Sequence, residues 1–160
     1  MNWAHLHLMV NHLPVIGILF GLLLALYAFV RKNDEVNRLA LIFLVLVALA
    51  ALPAYFTGGA AEDMVERLPG VNKNHVEQHE EMASVALTTL LLMGAVAAAG
   101  LFTFRGTKSI PRWFMLVALI LSLSGAGVAG LTANLGGQIR HQEARPDFQI
   151  PAPSRDERQK

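Results

Sequence analysis

LPVIGILFGLLLALYAFV, residues Leu13 to Val30, is the stretch that decides the fold. It carries no Asp, Glu, Lys or Arg, and it ends on Arg31-Lys32. A bilayer core needs about 20 apolar residues per helix. Three more charge-free stretches follow: Leu39–Ala61, Met82–Phe104 and Trp113–Ile139. An isolated run could be a core helix, but four in 160 residues leave little chain for anything else. Hydrophobic residues make up 54% of the chain and charged residues 16%, against roughly 25% charged in a soluble domain. Mean hydropathy is +0.44. In hydrocarbon each backbone N–H and C=O must be satisfied within the segment, so these runs predict helices. The reading is an all-α, integral membrane, antiparallel four-helix bundle.

Expected helices cover about 13–30, 39–57, 79–104 and 113–139, inside a domain of residues 1–145. The linkers Arg31–Arg38 and Arg105–Arg112 are short, which makes the helices they join antiparallel. The middle linker, 58–78, is expected on the outer side. From Glu62 to Glu81 the chain holds six carboxylates against Arg67 and Lys73. Within it Ala61–Leu68 reads as a short amphipathic helix, Pro69-Gly70 as a break, and Asn74 as a cap for the third span. Residues 146–160 are expected to be disordered. Met1–His12 has no Lys or Arg, and no small-residue cleavage site follows the first run, so that run reads as a retained helix rather than a signal peptide.

Charge sets the orientation. Arg31, Lys32, Arg38, Arg105, Lys108 and Arg112 all lie in the two short linkers, which predicts those linkers on the cytoplasmic side. Both termini and the acidic linker are then outside, in the periplasm if the membrane is a bacterial inner membrane. Trp113 and Trp3 fall at the two interfaces, as aromatic belts do. Net charge is +1, which excludes recruitment of nucleic acid by a global field. The absence of cysteine excludes disulfides, thiolate metal sites and c-type haem attachment. Ser122, Ala126 and Gly130 form a small-xxx-small ridge suited to close helix contact or to a homo-oligomer.

All six histidines fall at one end of this topology. His5, His7 and His12 precede or open the first span, His75 and His79 open the third, and His141 closes the fourth. A polar residue at the membrane edge needs a partner. Imidazole is a common metal ligand and an axial ligand of haem iron. One reading is haem b held between histidines on opposed helices, drawn from His7, His12, His79 and His141, with Arg140 on a propionate. It would pass electrons between quinol and a periplasmic carrier. A second is a zinc, iron, manganese or copper site built from His12, His79, His141, Glu62, Glu80 and Glu143. His75 and His79, four residues apart, share a helix face and could chelate together. Asn11 and Asn134 could orient a ligating ring from behind. The third reading is a structural or accessory subunit with no cofactor, its acidic residues merely solvated.

The sequence also carries a resemblance. His7-Leu8-Met9-Val10-Asn11-His12-Leu13-Pro14-Val15-Ile16 resembles an opening H-x-x-x-x-H-F-P-I-x. Leu131-Thr132-Ala133-Asn134-Leu135-Gly136-Gly137-Gln138-Ile139-Arg140-His141 resembles a closing T-G-x-L-G-G-x-L-x-x-x-H. Together, over residues 5 to 143, they look like the bacterial four-helix membrane proteins grouped as domain of unknown function 2231. The pattern differs at Leu13, where the family has Phe, at Ala133, where it has Gly, and in the closing histidine, which stands two residues after Ile139 rather than four. By that resemblance His7, His12 and His141 match motif histidines and His79 one that opens the third helix. The segment from Gly59 through Glu62 and Asp63 to His79 and Glu80 looks like a subgroup feature. The family is loosely similar to small b-type membrane cytochromes, and it implies no settled activity.

Overall fold

The structure, a computed structural model, describes residues 2–146, 148 and 149. These form five α-helices and no strand: α1 (Trp3–Val10), α2 (His12–Arg31), α3 (Asp34–Val65), α4 (Lys73–Thr103) and α5 (Arg112–Arg140). A 3-10 turn, Gln142–Ala144, follows α5. The expected disorder of residues 150–160 lies outside the described residues. Taking α1 and α2 as one bent unit, four helices are long and apolar enough to cross a membrane.

The helices outrun the charge-free stretches because a helix in water continues until a cap or a breaker ends it. Asn2 opens α1, its side chain accepting the His5 N–H, and Asn33 opens α3 by accepting from Glu35 and Val36. The cap of α4 is Asn72, which accepts from Asn74; the sequence reading put the cap two residues later, on Asn74 itself. The separate short helix over 61–68 does not exist. Instead α3 runs unbroken through Gly58-Gly59 to Val65, and the chain turns at Gly70, whose φ is +79°. The middle linker therefore shrinks to residues 66–72, stapled by Lys73 donating to Glu66 at 2.6 Å. α1 was not foreseen as a separate element. Pro14 has no N–H for the Val10 carbonyl, which divides α1 from α2 at Asn11, itself still in helical conformation, and α1 packs on α3.

Hydrogen bonds fix the packing. α2 lies between α3 and α5, α4 lies between the same two, and α3 barely touches α5. Tyr55 in the last third of α3 bonds Ser84 near the start of α4 at 3.0 Å. Arg38 at the start of α3 donates to the Phe104 carbonyl at the end of α4. The pair is therefore antiparallel. Thr132 of α5 bonds both its own Val128 carbonyl and the Met82 carbonyl of α4, which ties a second antiparallel pair.

The core is made of small side chains. Only Ile18, Leu41, Leu44, Met93 and Met115 are large and fully enclosed, and alanine fills most of the rest. Gly94 packs on Ala48, and Gly100 on the Phe114 ring, so closely that a methyl group at either would collide. Large side chains point outward instead: Phe20, Leu23, Phe56 and Phe102 are all over 60% exposed. Between 28% and 39% of each helix's most apolar stretch is buried, so most of that apolar surface looks outward. The expected ridge on α5 is only partly a contact. Ser122 is buried, but Gly130 faces open space. The packed row is Ser122, Gly125 and Ala129, at the i, i+3, i+7 spacing of one helix face.

Candidate functional site: a histidine pair

Two imidazoles meet at the end of the bundle where α1, α3, α4 and α5 converge. α1 packs on α3 and brings His7 to it. There its Nδ1 lies 3.0 Å from the Ala54 carbonyl oxygen and 3.3 Å from Thr57 Oγ1. The Thr57 hydroxyl donates back to the Pro53 and Ala54 carbonyls of its own preceding turn. From α4, the Nδ1 of His79 lies 3.0 Å from the Thr132 carbonyl oxygen on α5. The two ring centres are 6.4 Å apart and the planes cross at 74°.

The tautomer follows from these partners. A carbonyl oxygen only accepts, so Nδ1 of each ring must carry the proton and donate it. Each Nε2 then keeps its lone pair, the form of imidazole that ligates a metal. Neither Nε2 has a hydrogen-bond partner among the described residues. Both side chains are half-buried.

Glycine makes the seats. A Cβ on Gly58 would lie 3.1 Å from His7 Cε1, and one on Gly136 would lie 2.9 Å from His79 Cε1. Each ring rests on bare backbone where any larger residue would push it aside. Two more polar atoms at this end are shielded and unpaired among the described residues: Asn11 Oδ1 and His75 Nδ1.

The other candidates are placed apart from the pair. His12 bonds the Leu8 carbonyl of its own preceding turn at 2.9 Å and borders an outward groove of about 360 Å³ with Leu13, Ile16, Phe20, Phe43 and Leu46. His141 pairs with Glu143 at 2.9 Å, both exposed. His5 and Arg140 are exposed, and Arg145 takes the carbonyls at the end of α5 instead, those of Gln138 and Ile139. Glu62 is half-buried and Glu80 exposed. Among the described residues no three His, Asp or Glu side chains are grouped to hold a metal ion. Asn134 does not orient a histidine; it accepts from Gln138. Thr57, Gly58, Thr132 and Gly136 were missed as parts of the site. Pro53 withholds a donor from the carbonyl one turn before it, not after it, so the sequence carried no signal for Thr57.

No family model, no curated protein and no solved structure matches this chain.

Proposed function

We infer that this is a small integral membrane protein of the bacterial inner membrane, with both termini periplasmic, that binds haem b between His7 and His79 and serves in electron transfer. The observation that carries the reading is the pair itself: two imidazoles from different helices, each with Nδ1 committed to a backbone carbonyl, 6.4 Å apart. A metal–imidazole bond of about 2.0 Å plus roughly 1 Å from nitrogen to ring centre, taken on both sides, gives about 6 Å between ring centres. The donor set also favours haem over a bare ion. Zinc wants four protein donors or three and a water, whereas haem brings four nitrogens and asks the protein for two.

The remaining parts fit that use. The carbonyls of Ala54 and Thr132 hold the ring orientation and tautomer, the usual support behind a ligating histidine. Gly58 and Gly136 let the rings sit close to the helices. Asn11 and His75 offer shielded polar atoms at the same end. Bound there, haem supplies a one-electron couple. Membrane residence is supported by the four long apolar helices, and orientation by the six Lys/Arg confined to the two short linkers. The likeness to domain of unknown function 2231 rests on the two end motifs and belongs to this proposal.

Substitution tests the assignment. His7→Ala and His79→Ala should each abolish the Soret band of protein purified from haem-replete cells. His12→Ala and His141→Ala should leave it in place. Loss of the band in His12→Ala with retention in His7→Ala would overturn the pair. A colourless protein carrying a stoichiometric metal ion would overturn the haem.

A further inference from the structure

The opposite end of the bundle presents three arginines held by aromatic rings. The Arg31 guanidinium lies 5.8 Å from the Tyr27 ring centre, one turn back on α2. Arg105 lies 4.3 Å from the ring of Phe102 on α4. Arg112 reaches from α5 across to α2, 4.8 Å from the Phe29 ring. Acids do not neutralise them. The ion pairs among the described residues, Lys73–Glu66 and His141–Glu143, are both at the histidine end. Asp34 instead accepts the Ile110 N–H.

A guanidinium that lies over a ring spends its face on the π-system and keeps its in-plane N–H groups free. That planar fork matches the oxygens of a phosphate. The rings decide where the forks stand. Tyr27 and Phe102 are 52% and 69% exposed on the apolar outside of the bundle. Their partners therefore sit at the rim of the apolar surface rather than out in a loop, at the level where lipid phosphates lie.

We propose that Arg31, Arg105 and Arg112 each engage the phosphate of an anionic glycerophospholipid at the rim of this end, Arg112 doing so at the seam where it crosses from α5 to Phe29 of α2. This rests on the membrane reading given above and is independent of the haem. The ring-held guanidiniums recognise the phosphate, and the apolar flank beneath takes the acyl chains.

The test is lipid retention in equal mixtures of phosphatidylglycerol and phosphatidylcholine, read by native mass spectrometry. The wild-type chain should retain phosphatidylglycerol preferentially. Each arginine changed to Gln should cut that preference on the order of fivefold, with the Arg31→Gln/Arg105→Gln/Arg112→Gln variant losing it; the single Arg112→Gln variant serves if the triple one does not insert. Phe29→Leu keeps every charge and should still lower the preference by about twofold to fivefold. Arg67→Gln, at the other end, should change nothing. Equal retention of both lipids by the wild type, an unchanged preference in Arg112→Gln, or no effect of Phe29→Leu would overturn the proposal. So would displacement of the lipid by inorganic phosphate, which would mean an anion site and not a lipid surface. Recovery of the wild type in the aqueous fraction of lysed cells would overturn the membrane reading and this proposal together.

Discussion

The two ends of the bundle treat polar atoms in opposite ways. At one end Arg38 reaches into the turn after α4 and donates to the carbonyls of Phe104 at 2.6 Å, Gly106 at 3.3 Å and Lys108 at 2.8 Å, while Asp34 accepts the Ile110 N–H at 3.1 Å. A connection with irregular backbone is sealed by one guanidinium. At the other end each of two imidazoles uses one nitrogen for a carbonyl and leaves the second without a partner among the described residues. A buried or half-buried polar group left open costs free energy, and natural folds close such groups where they can, as Arg38 does. The Arg38 end thus closes its turn carbonyls, though it too keeps one buried side-chain atom without a partner among the described residues, Asn37 Oδ1, while the imidazole end keeps two ring nitrogens open for the proposed ligand.

That contrast is breakable, and the largest effect lies at the sealed end. Arg38→Ala should destabilise the protein by about 1.5–3 kcal/mol, since it removes charged hydrogen bonds and leaves the shielded Phe104 carbonyl without its donor. Thermal unfolding in detergent checks this. The Soret band of the folded fraction should be unchanged, because Arg38 stands a bundle length away.

Next come the glycine seats. Gly136→Ala forces His79 off its place and should cost about 1–3 kcal/mol, with loss of haem on dilution. Gly58→Ala, with slightly more room, should do the same more weakly. Gly127→Ala is the control. Nothing stands within 4 Å of a Cβ there, so the change should stabilise the helix by about 0.5–1 kcal/mol and leave haem untouched. Equal losses at Gly136 and Gly127 would remove the argument that the glycine at 136 exists for the ring.

Much of this architecture was legible beforehand, for a physical reason. Runs free of charge report a solvent, and the solvent dictates helices and their count. The bare sidedness of the histidines was readable for the same reason. What stayed hidden were events inside helices. His12 ranked with His79 because it stands at the mouth of the first apolar run. In the structure it is His7, on α1 packed against α3, that lies beside His79, while His12 bonds the Leu8 carbonyl of the turn before it and is exposed. The Gly58-Gly59 pair looked like a helix end; it lies within α3 because Gly58 is filled from outside by an imidazole. Arg140 was matched to an anion on proximity in sequence, whereas Arg145, five residues on, makes the contacts that close α5. The metal set failed to assemble because His141 and Glu143 satisfy each other, and Glu80 remains on the solvent side of α4.

Smaller effects sharpen the same comparison. Thr132→Val removes the hydroxyl bond to Met82 but keeps the carbonyl that anchors His79. It should cost about 0.6 kcal/mol, the usual worth of an interhelical hydrogen bond in a membrane, with no change in the spectrum. The smallest effect is at Glu143. Its own backbone N–H and then His141 hold its carboxyl below the ordinary carboxylate range. Any stability it lends is in place above that range and is lost as pH falls through the lowered value. Both groups are exposed, so screening keeps the contribution slight. An NMR titration should find the Glu143 midpoint below that of a model carboxylate, and His141→Ala should move it back part of the way.

The central proposal is that His7 and His79 would together hold one haem. The most direct measurement is the optical and low-temperature EPR spectrum of the purified, oxidised wild type, with haem counted per chain. The account predicts one b-type haem per chain, six-coordinate and low-spin. Planes crossing at 74° predict the strongly anisotropic signal of near-perpendicular imidazoles. Protein that carries no haem when expressed in haem-replete cells, or a five-coordinate high-spin spectrum, would contradict it.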